Sequence, residues 1–133
     1  MPFSLDTNSV IALMNRRPEA LRERVRRCSP GEVSVSSIVL HELWWGAFKS
    51  GRVEANLDRI ARLRFPVLDF DADDANAAGR IRAELQLKGT PIGPYDLLIA
   101  GQALVRGLTL VTANRREFER VEGLAVEDWT APA

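Results

Sequence analysis

Four acidic residues in this sequence stand where they could bind a divalent cation. Asp6 follows a short apolar run, Glu42 lies in a helical stretch, Asp96 opens an apolar one, and Glu117 comes three positions after Asn114. Clustered carboxylates repel one another and raise one another's pKa unless a cation holds them ionised. A single histidine and a single cysteine are too few for a Cys/His zinc site, and oxygen ligands favour Mg²⁺ or Mn²⁺.

A cation held in this way suits the hydrolysis of a phosphodiester bond. It lowers the pKa of a bound water, orients the phosphate and offsets the charge that grows on the leaving oxygen. We predict Asp6 and Asp96 as direct ligands of Mg²⁺, with Mn²⁺ as a substitute. Glu42 and Glu117 are predicted to be outer ligands or to orient the attacking water. Three polar residues are predicted to fix the carboxylates or contact phosphate: Asn8, Thr112 and Asn114.

Each acid taken alone also has a simpler interpretation. Asp6 could only cap a helix, and Asp96 could be a first-turn acid favoured by the helix dipole. Glu42 and Glu117 could be solvated surface charges. Convergence favours the site, because Asp6 and Asp96 flank apolar segments in which an unpaired carboxylate is costly to desolvate.

The elements that must position these acids alternate between short apolar runs and longer helical patterns. This alternation is typical of βαβ units and predicts an α/β fold with a parallel sheet. Strands are predicted at residues 3–5, 32–35, 67–68 and 108–111. Helices are predicted at 18–28, from Ser36 or Ser37 to about 50, at 53–63, 71–88 and 95–106. Ligands of such sheets bind beyond the carboxyl ends of the strands, which is where the four acids are expected to lie.

Length and composition are those of an ordinary globular domain. The 133 residues suit one domain over 1–133. Cys28 is the only cysteine, so an internal disulfide is impossible and a cytoplasmic location is expected. No apolar run is long enough to span a bilayer. These properties predict an intracellular protein without a disulfide framework.

The charge is balanced overall, with 18 basic and 18 acidic residues, which alone argues against nucleic acid as a partner. Its distribution is uneven, because segment 16–27 holds six arginines and only two glutamates. These arginines, with Arg115 and Arg116, could follow a folded RNA backbone at several points. Alternatively, Glu19 and Glu23 pair with them on a solvated helix face. No pair of aromatic residues able to stack on bases is evident from the sequence.

At these residues the chain resembles PIN domains, and more narrowly the VapC toxins of bacterial toxin–antitoxin pairs. The matching stretches are LDTN (5–8), VSSIVLHEL (35–43), RAELQLKGTPIGPYDLLIAGQA (82–103), LVTANRREFERVEGL (110–124) and EDW (127–129). They cover nearly the whole chain in the same order. The combination with PIGPYD and TANRREF resembles the branch that cuts initiator tRNA.

This resemblance implies a three-layer sandwich, with a central, mostly parallel sheet of four to five strands and helices on both faces. It also implies a Mg²⁺-dependent endoribonuclease whose acids are Asp6, Glu42, Asp96 and Glu117. Its expected substrate is the anticodon stem-loop of initiator tRNA, and its expected partner is a cognate antitoxin. Asn114 departs from the pattern, because many PIN domains carry an Asp there. The fourth acid is then Glu117, as in this branch, or the site has three.

Three other functions were compared with this hypothesis. A haloacid dehalogenase phosphatase needs a second Asp where the chain has Asn8, and a receiver domain needs a strand-end lysine that neither Lys49 nor Lys88 supplies. A PIN-like module that regulates by contact, without turnover, is the alternative from another class. Retention of all four acids argues against it, since a scaffold would be more stable without their repulsion.

The helix around residues 42–48 is rich in aromatic residues for a single buried face. Either one tryptophan packs inward, or Trp44, Trp45 and Phe48 form a protein interface, where Trp is favoured. The resemblance implies that the antitoxin covers such a groove and places a basic side chain among the acids. It also implies a homodimer, or a hetero-oligomer with the antitoxin.

Overall fold

The computed structural model describes residues 2–131 as a central sheet flanked by helices. Its strands are β1 (Phe3–Leu5), β2 (Val33–Ser36), β3 (Val67–Leu68), β4 (Thr109–Val111) and β5 (Val126–Glu127). Its helices are α1 (Thr7–Met14), α2 (Glu19–Arg26), α3 (Ser37–Phe48), α4 (Val53–Ala61), α5 (Ala72–Leu87), α6 (Pro94–Val105) and α7 (Arg115–Phe118). Within the described residues, no helix is long and apolar enough to cross a membrane.

The five strands run in the order β3-β2-β1-β4-β5, and every pairing is parallel. Leu5 at the end of β1 lies opposite Val35 of β2 and Val111 of β4, so these strands end nearly level. Along the chain, strands are added outward from β1 to β2 and β3, and then on the other side of β1 as β4 and β5. Because parallel crossovers are right-handed, this change of direction places the helices after β3 on the opposite face of the sheet from those before it. The predicted α/β sandwich with a parallel sheet is confirmed, and Asp6 follows its central strand.

Helix α6 is the most buried helix of the fold. Six of its twelve residues are buried, which agrees with the apolar pattern that predicted it. Gly101 allows its close approach to α5, because a Cβ atom there would lie 2.7 Å from the backbone nitrogen of Ala78. Any larger residue would push the two helices apart. Asp96 therefore sits at the start of a helix that is rigidly held against its neighbour.

The ends of several helices follow the predicted capping chemistry. Asp71 and Asp74 form a complete capping box at the start of α5. The Ser36 hydroxyl accepts a hydrogen bond from the Ile38 backbone at the start of α3. Gly107 has φ +68° directly after α6, a conformation that favours glycine. Predicted and observed boundaries of these helices differ by one or two residues.

Three short elements were not predicted individually. Helix α1 begins one residue after β1, so the short segment from Phe3 to Met14 contains a whole β–α connection. Helix α7 has four residues and β5 has two. Elements as short as α7 and β5 carry too few apolar positions to show a period, and tertiary contacts decide whether they form.

Candidate active site

Asp6 is held at the carboxyl end of the central strand and is only 4% exposed. Its Oδ1 accepts a hydrogen bond of 2.8 Å from the Ser9 backbone, which makes it the N-cap of α1. The Ser9 hydroxyl in turn donates to the Val111 carbonyl at the end of β4. Asp6 thus does have the capping role of the simpler interpretation, and that role fixes its carboxylate at the edge of the sheet.

The pKa of Asp96 is the clearest sign that the four acids converge. It lies half-buried in the first turn of α6. Burial raises its pKa, and the negative charges of Glu117, Glu42 and Asp6 raise it further, to about 6. The three carboxylates that act on it are the other members of the predicted set. The structure therefore brings all four acids into one region at the carboxyl edge of the sheet.

Glu42 projects from the second turn of α3 and is fastened by a residue of α1. The Thr7 hydroxyl donates to Glu42 Oε1 over 2.6 Å. Thr7 belongs to the LDTN stretch, yet sequence reasoning selected Asn8 as the positioning residue. Asn8 is exposed on α1, whereas Thr7 contacts a carboxylate of the set. A signal was available, since Thr7 directly follows Asp6 at the same strand end.

Glu117 is held by two donors from different parts of the chain. Its Oε1 accepts from the Gly93 backbone over 3.0 Å, and its Oε2 accepts from Asn114 Nδ2 over 2.7 Å. Gly93 also approaches Asp96, because a Cβ atom at position 93 would lie 3.6 Å from Asp96 Oδ2. The turn before α6 thus connects Asp96 with Glu117. Sequence reasoning did not identify Gly93, since a backbone donor leaves no mark of residue type.

Thr112 and Asn114 lie at the end of β4, as their positions in the sequence predict. Thr112 is buried, and its hydroxyl accepts a hydrogen bond of 2.9 Å from the Asn114 backbone. That turn points the Asn114 amide at Glu117. Asn114 therefore orients one carboxylate of the set.

The chemistry of these donors fits a hard divalent cation. All four are carboxylates, and burial together with the charges of the other three raises the pKa of Asp96, so that a divalent cation would favour its ionised form. Among residues 2–131, no three His, Cys, Asp or Glu side chains lie close enough together to hold an ion. Glu42 and Glu117 are instead directed towards Thr7, Gly93 and Asn114. The donors fit in kind and in charge, but they do not form a closed coordination shell.

The structure decides between the two alternatives for the aromatic residues of α3 and adds a pair that was not evident in the sequence. Trp44, Trp45 and Phe48 are 44%, 59% and 64% exposed, so neither tryptophan packs into the core. One ring of the added pair lies elsewhere on the same helix. His41 and Tyr95 come together across α3 and α6, with ring centroids 5.4 Å apart. They are 54 positions apart in the sequence, so only the fold could reveal the pair.

The arginine-rich segment divides between the two alternatives for it. Arg22 pairs with Glu19 over 2.8 Å, and Arg26 pairs with Glu23, as on a solvated face. Arg24 instead stacks its guanidinium on Trp129, 4.4 Å from the ring centroid. Three further arginines of the segment are exposed and could contact an RNA backbone: Arg16, Arg17 and Arg27.

Comparison with known proteins identifies the class to which this fold and site belong. The model of the PIN domain family matches residues 4–124. That range contains β2, β3, β4, all of β1 except Phe3, and all four acids, and β5 lies just beyond it. The chain belongs to the PIN domain family. Nucleases of this family generally depend on a divalent metal ion, which agrees with the donor chemistry described above.

Individual relatives place the chain among the VapC ribonucleases. It is 48% identical over 131 residues to the tRNA(fMet)-specific endonuclease VapC of Salmonella typhimurium, which covers 97% of this chain and 98% of that protein. It is 41% identical to ribonuclease VapC2 of Haemophilus influenzae, over 97% of this chain and 98% of the relative. The crystal structure of DNA-bound VapBC from Salmonella typhimurium superposes with a TM-score of 0.92, at 48% identity, over 97% of this chain and 98% of that chain.

Proposed function

We propose that this protein is the toxin of a toxin–antitoxin pair and cuts initiator tRNA in its anticodon stem-loop. The observation that carries the nuclease assignment is the convergence of four carboxylates at the carboxyl edge of the sheet, where burial and the charges of Glu117, Glu42 and Asp6 raise the pKa of the half-buried Asp96. Such a cluster has little use in a scaffold, because its repulsion lowers stability. The tRNA(fMet)-specific relative from Salmonella supports the substrate.

In this proposal, Asp6 and Asp96 hold Mg²⁺, or Mn²⁺ as a substitute. The ion supplies a water of lowered pKa and offsets charge on the phosphate. Glu42 and Glu117 orient that water or act as outer ligands. Thr7 and Asn114 set the directions of these two carboxylates; Thr112 and Asn8 are the remaining polar residues assigned to the site. Hydrolysis by water leaves a 5′-phosphate and a 3′-hydroxyl.

The proposed protein partner is a cognate antitoxin that covers the aromatic face of α3. Trp45 and Phe48 are exposed there, and Trp44 borders an apolar groove between α3 and α4. The VapBC structures to which this chain is similar support a partner of this kind. We further propose a cytoplasmic protein of one domain over 1–133, which forms a homodimer or a hetero-oligomer with its antitoxin.

The decisive test is cleavage of initiator tRNA by wild-type protein and by Asp6→Asn, prepared identically to control for contaminating nucleases. Asp73→Asn provides a matched control, because Asp73 is an exposed carboxylate in the first turn of α5. Wild type and Asp73→Asn should cut in the anticodon stem-loop, and Asp6→Asn should not. Scattered cuts in messenger and ribosomal RNA, with the initiator tRNA intact, would contradict the specificity and leave the nuclease standing. Equal cleavage by Asp6→Asn would contradict both.

A further inference from the structure

Two aromatic residues each directly precede an acid of the site in the sequence, and their rings meet. His41 precedes Glu42 on α3, and Tyr95 precedes Asp96 on α6. Their ring centroids are 5.4 Å apart, and the ring planes are inclined by 43°. Neighbouring residues of a helix point about 100° apart, so each ring leaves its helix in a different direction from the carboxylate that follows it in the sequence.

The exposure of this pair distinguishes it from core packing. Tyr95 is 45% exposed, and His41 is exposed as well. An aromatic pair that served only to join α3 and α6 would be buried, since burial supplies most of the stabilisation an aromatic ring gives. Here ring surface stays open to solvent on residues that adjoin, in sequence, two acids of the proposed cleavage site.

Because the site is negatively charged, it benefits from a contact with RNA that does not depend on charge. Asp6, Glu42, Asp96 and Glu117 repel a phosphate backbone wherever a cation does not neutralise them. Stacking of a base on an aromatic ring does not depend on that charge. An unpaired loop nucleotide presents its base for such stacking, whereas a base inside a duplex does not.

We propose that His41 and Tyr95 form a stacking site for one unpaired nucleobase next to the phosphate that is cut. This inference rests on the proposed ribonuclease function and adds a substrate-positioning site to it. The stacked base fixes the neighbouring phosphate against the carboxylates that follow each ring in sequence. Because every base has a π-face, the site selects an unpaired nucleotide and not a particular base.

Binding to catalytically inactive protein tests this site without cleavage. The background is Asp6→Asn, and the probe is a fluorescent RNA hairpin with the sequence of the initiator anticodon stem-loop. A series of hairpins carries an abasic nucleotide at each loop position in turn. Tyr95→Ala should weaken binding of the intact hairpin about tenfold, while Tyr95→Phe should retain it. Protein that keeps Tyr95 should bind one of the abasic hairpins as weakly as Tyr95→Ala binds the intact hairpin. Tyr95→Ala should bind that same abasic hairpin no more weakly than it binds the intact one.

Controls separate stacking from general damage. His41→Ala should give a smaller loss at the same abasic position, and thermal melting checks that each variant is folded. Val105→Ala removes an exposed apolar side chain at the far end of α6, about 15 Å along the helix axis from Tyr95, and it should bind every hairpin like the parent. If Tyr95→Ala and His41→Ala bind the intact hairpin like the parent, or if Val105→Ala weakens it equally, the stacking site is overturned. Cleavage by wild type is measured in parallel, so that failure of the nuclease function is seen separately.

Discussion

The charged residues at the two ends of helix α6 have partners of opposite kinds. Asp96 lies in its first turn, and Arg106 is the residue at its C-cap, about 15 Å further along the helix axis. Both positions suit the helix dipole, which favours an anion at the start and a cation at the end. At the first end three more carboxylates face Asp96. At the other end Arg106 meets Asp74 as an ion pair.

Asp74 is the more deeply buried of the two aspartates, with 1% of its surface exposed. Burial acts to raise its pKa, but hydrogen bonds from Arg106, the Asp71 backbone and Gln102 outweigh it and lower the pKa. Arg106 Nη2 lies 2.9 Å from Asp74 Oδ2, and Gln102 Nε2 lies 3.1 Å from the same oxygen. This carboxylate is therefore fully satisfied by donors of the protein itself.

The comparison shows that partners, more than burial, decide what a buried carboxylate does. Asp74 has a cation and two further donors, so it stabilises the join between α5 and α6. Asp96 faces like charges, so its ionised form is costly until a cation is supplied from outside. One end of α6 is thus stabilised by donors of the protein itself, and the other is the end that we propose binds a cation.

The largest effect should come from removing the ligand charge at the first end. Asp96→Asn should lower the rate of RNA cleavage about 100-fold or more, because the cation loses one of its two proposed direct ligands. Gel-based cleavage assays measure this, and chelation of wild type should give a similar loss that Mg²⁺ or Mn²⁺ reverses. Undiminished cleavage in excess chelator would end the metal hypothesis.

Breaking the ion pair at the other end should affect stability instead of activity. Asp74→Ala leaves Arg106 and Gln102 without their common partner and should lower the free energy of unfolding by about 2–3 kcal/mol. This is less than for a fully buried pair, because the Arg106 side chain is 30% exposed. Urea unfolding gives the value, with Asp73→Ala as the matched exposed control. A loss of cleavage by folded Asp74→Ala would blur the distinction between the two ends.

A smaller effect is expected for the residue that aims Glu117. Asn114→Ala removes the 2.7 Å hydrogen bond to Glu117 Oε2 and leaves the Gly93 backbone donor in place. Cleavage should fall about tenfold, as for other residues that orient metal ligands. Glu119→Gln, which alters only an exposed ion pair with Arg115, should cleave like wild type. Equal rates for both variants would argue against a role for Asn114 in orienting Glu117.

The smallest effect concerns pH and thermal stability without metal. Folding raises the pKa of Asp96 from its ordinary 3.8 to about 6, so the folded state binds more protons between these values. Stability is therefore lost as pH rises through that window. Asp96→Asn should melt a few degrees above wild type at pH 7–8 in chelator, and the difference should vanish near pH 4. Calorimetry at both pH values measures this, and a constant difference would show that repulsion is not the cause.

Sequence reasoning succeeded where a local signal was strong. The apolar run that became α6, the Asp71 capping box and the acids after strands β1 and β4 were all visible in short stretches of residues. The partners of those acids were not visible. Asn8 was predicted as a positioning residue, whereas Thr7 is the residue that contacts Glu42. Gly93 contributes only a backbone N–H, which any residue but proline could supply.

The amino-acid sequence by itself determined the α/β alternation, the parallel sheet and the four acids at its carboxyl edge, because periodicity, caps and residue type are local properties. Only the tertiary structure decided which charges are neutralised and which are not. Asp74 and Asp96 are both aspartates in the first turns of helices. Their pKa values move in opposite directions because packing places Arg106 beside one and three carboxylates near the other. The His41–Tyr95 pair depends in the same way on the packing of α3 against α6.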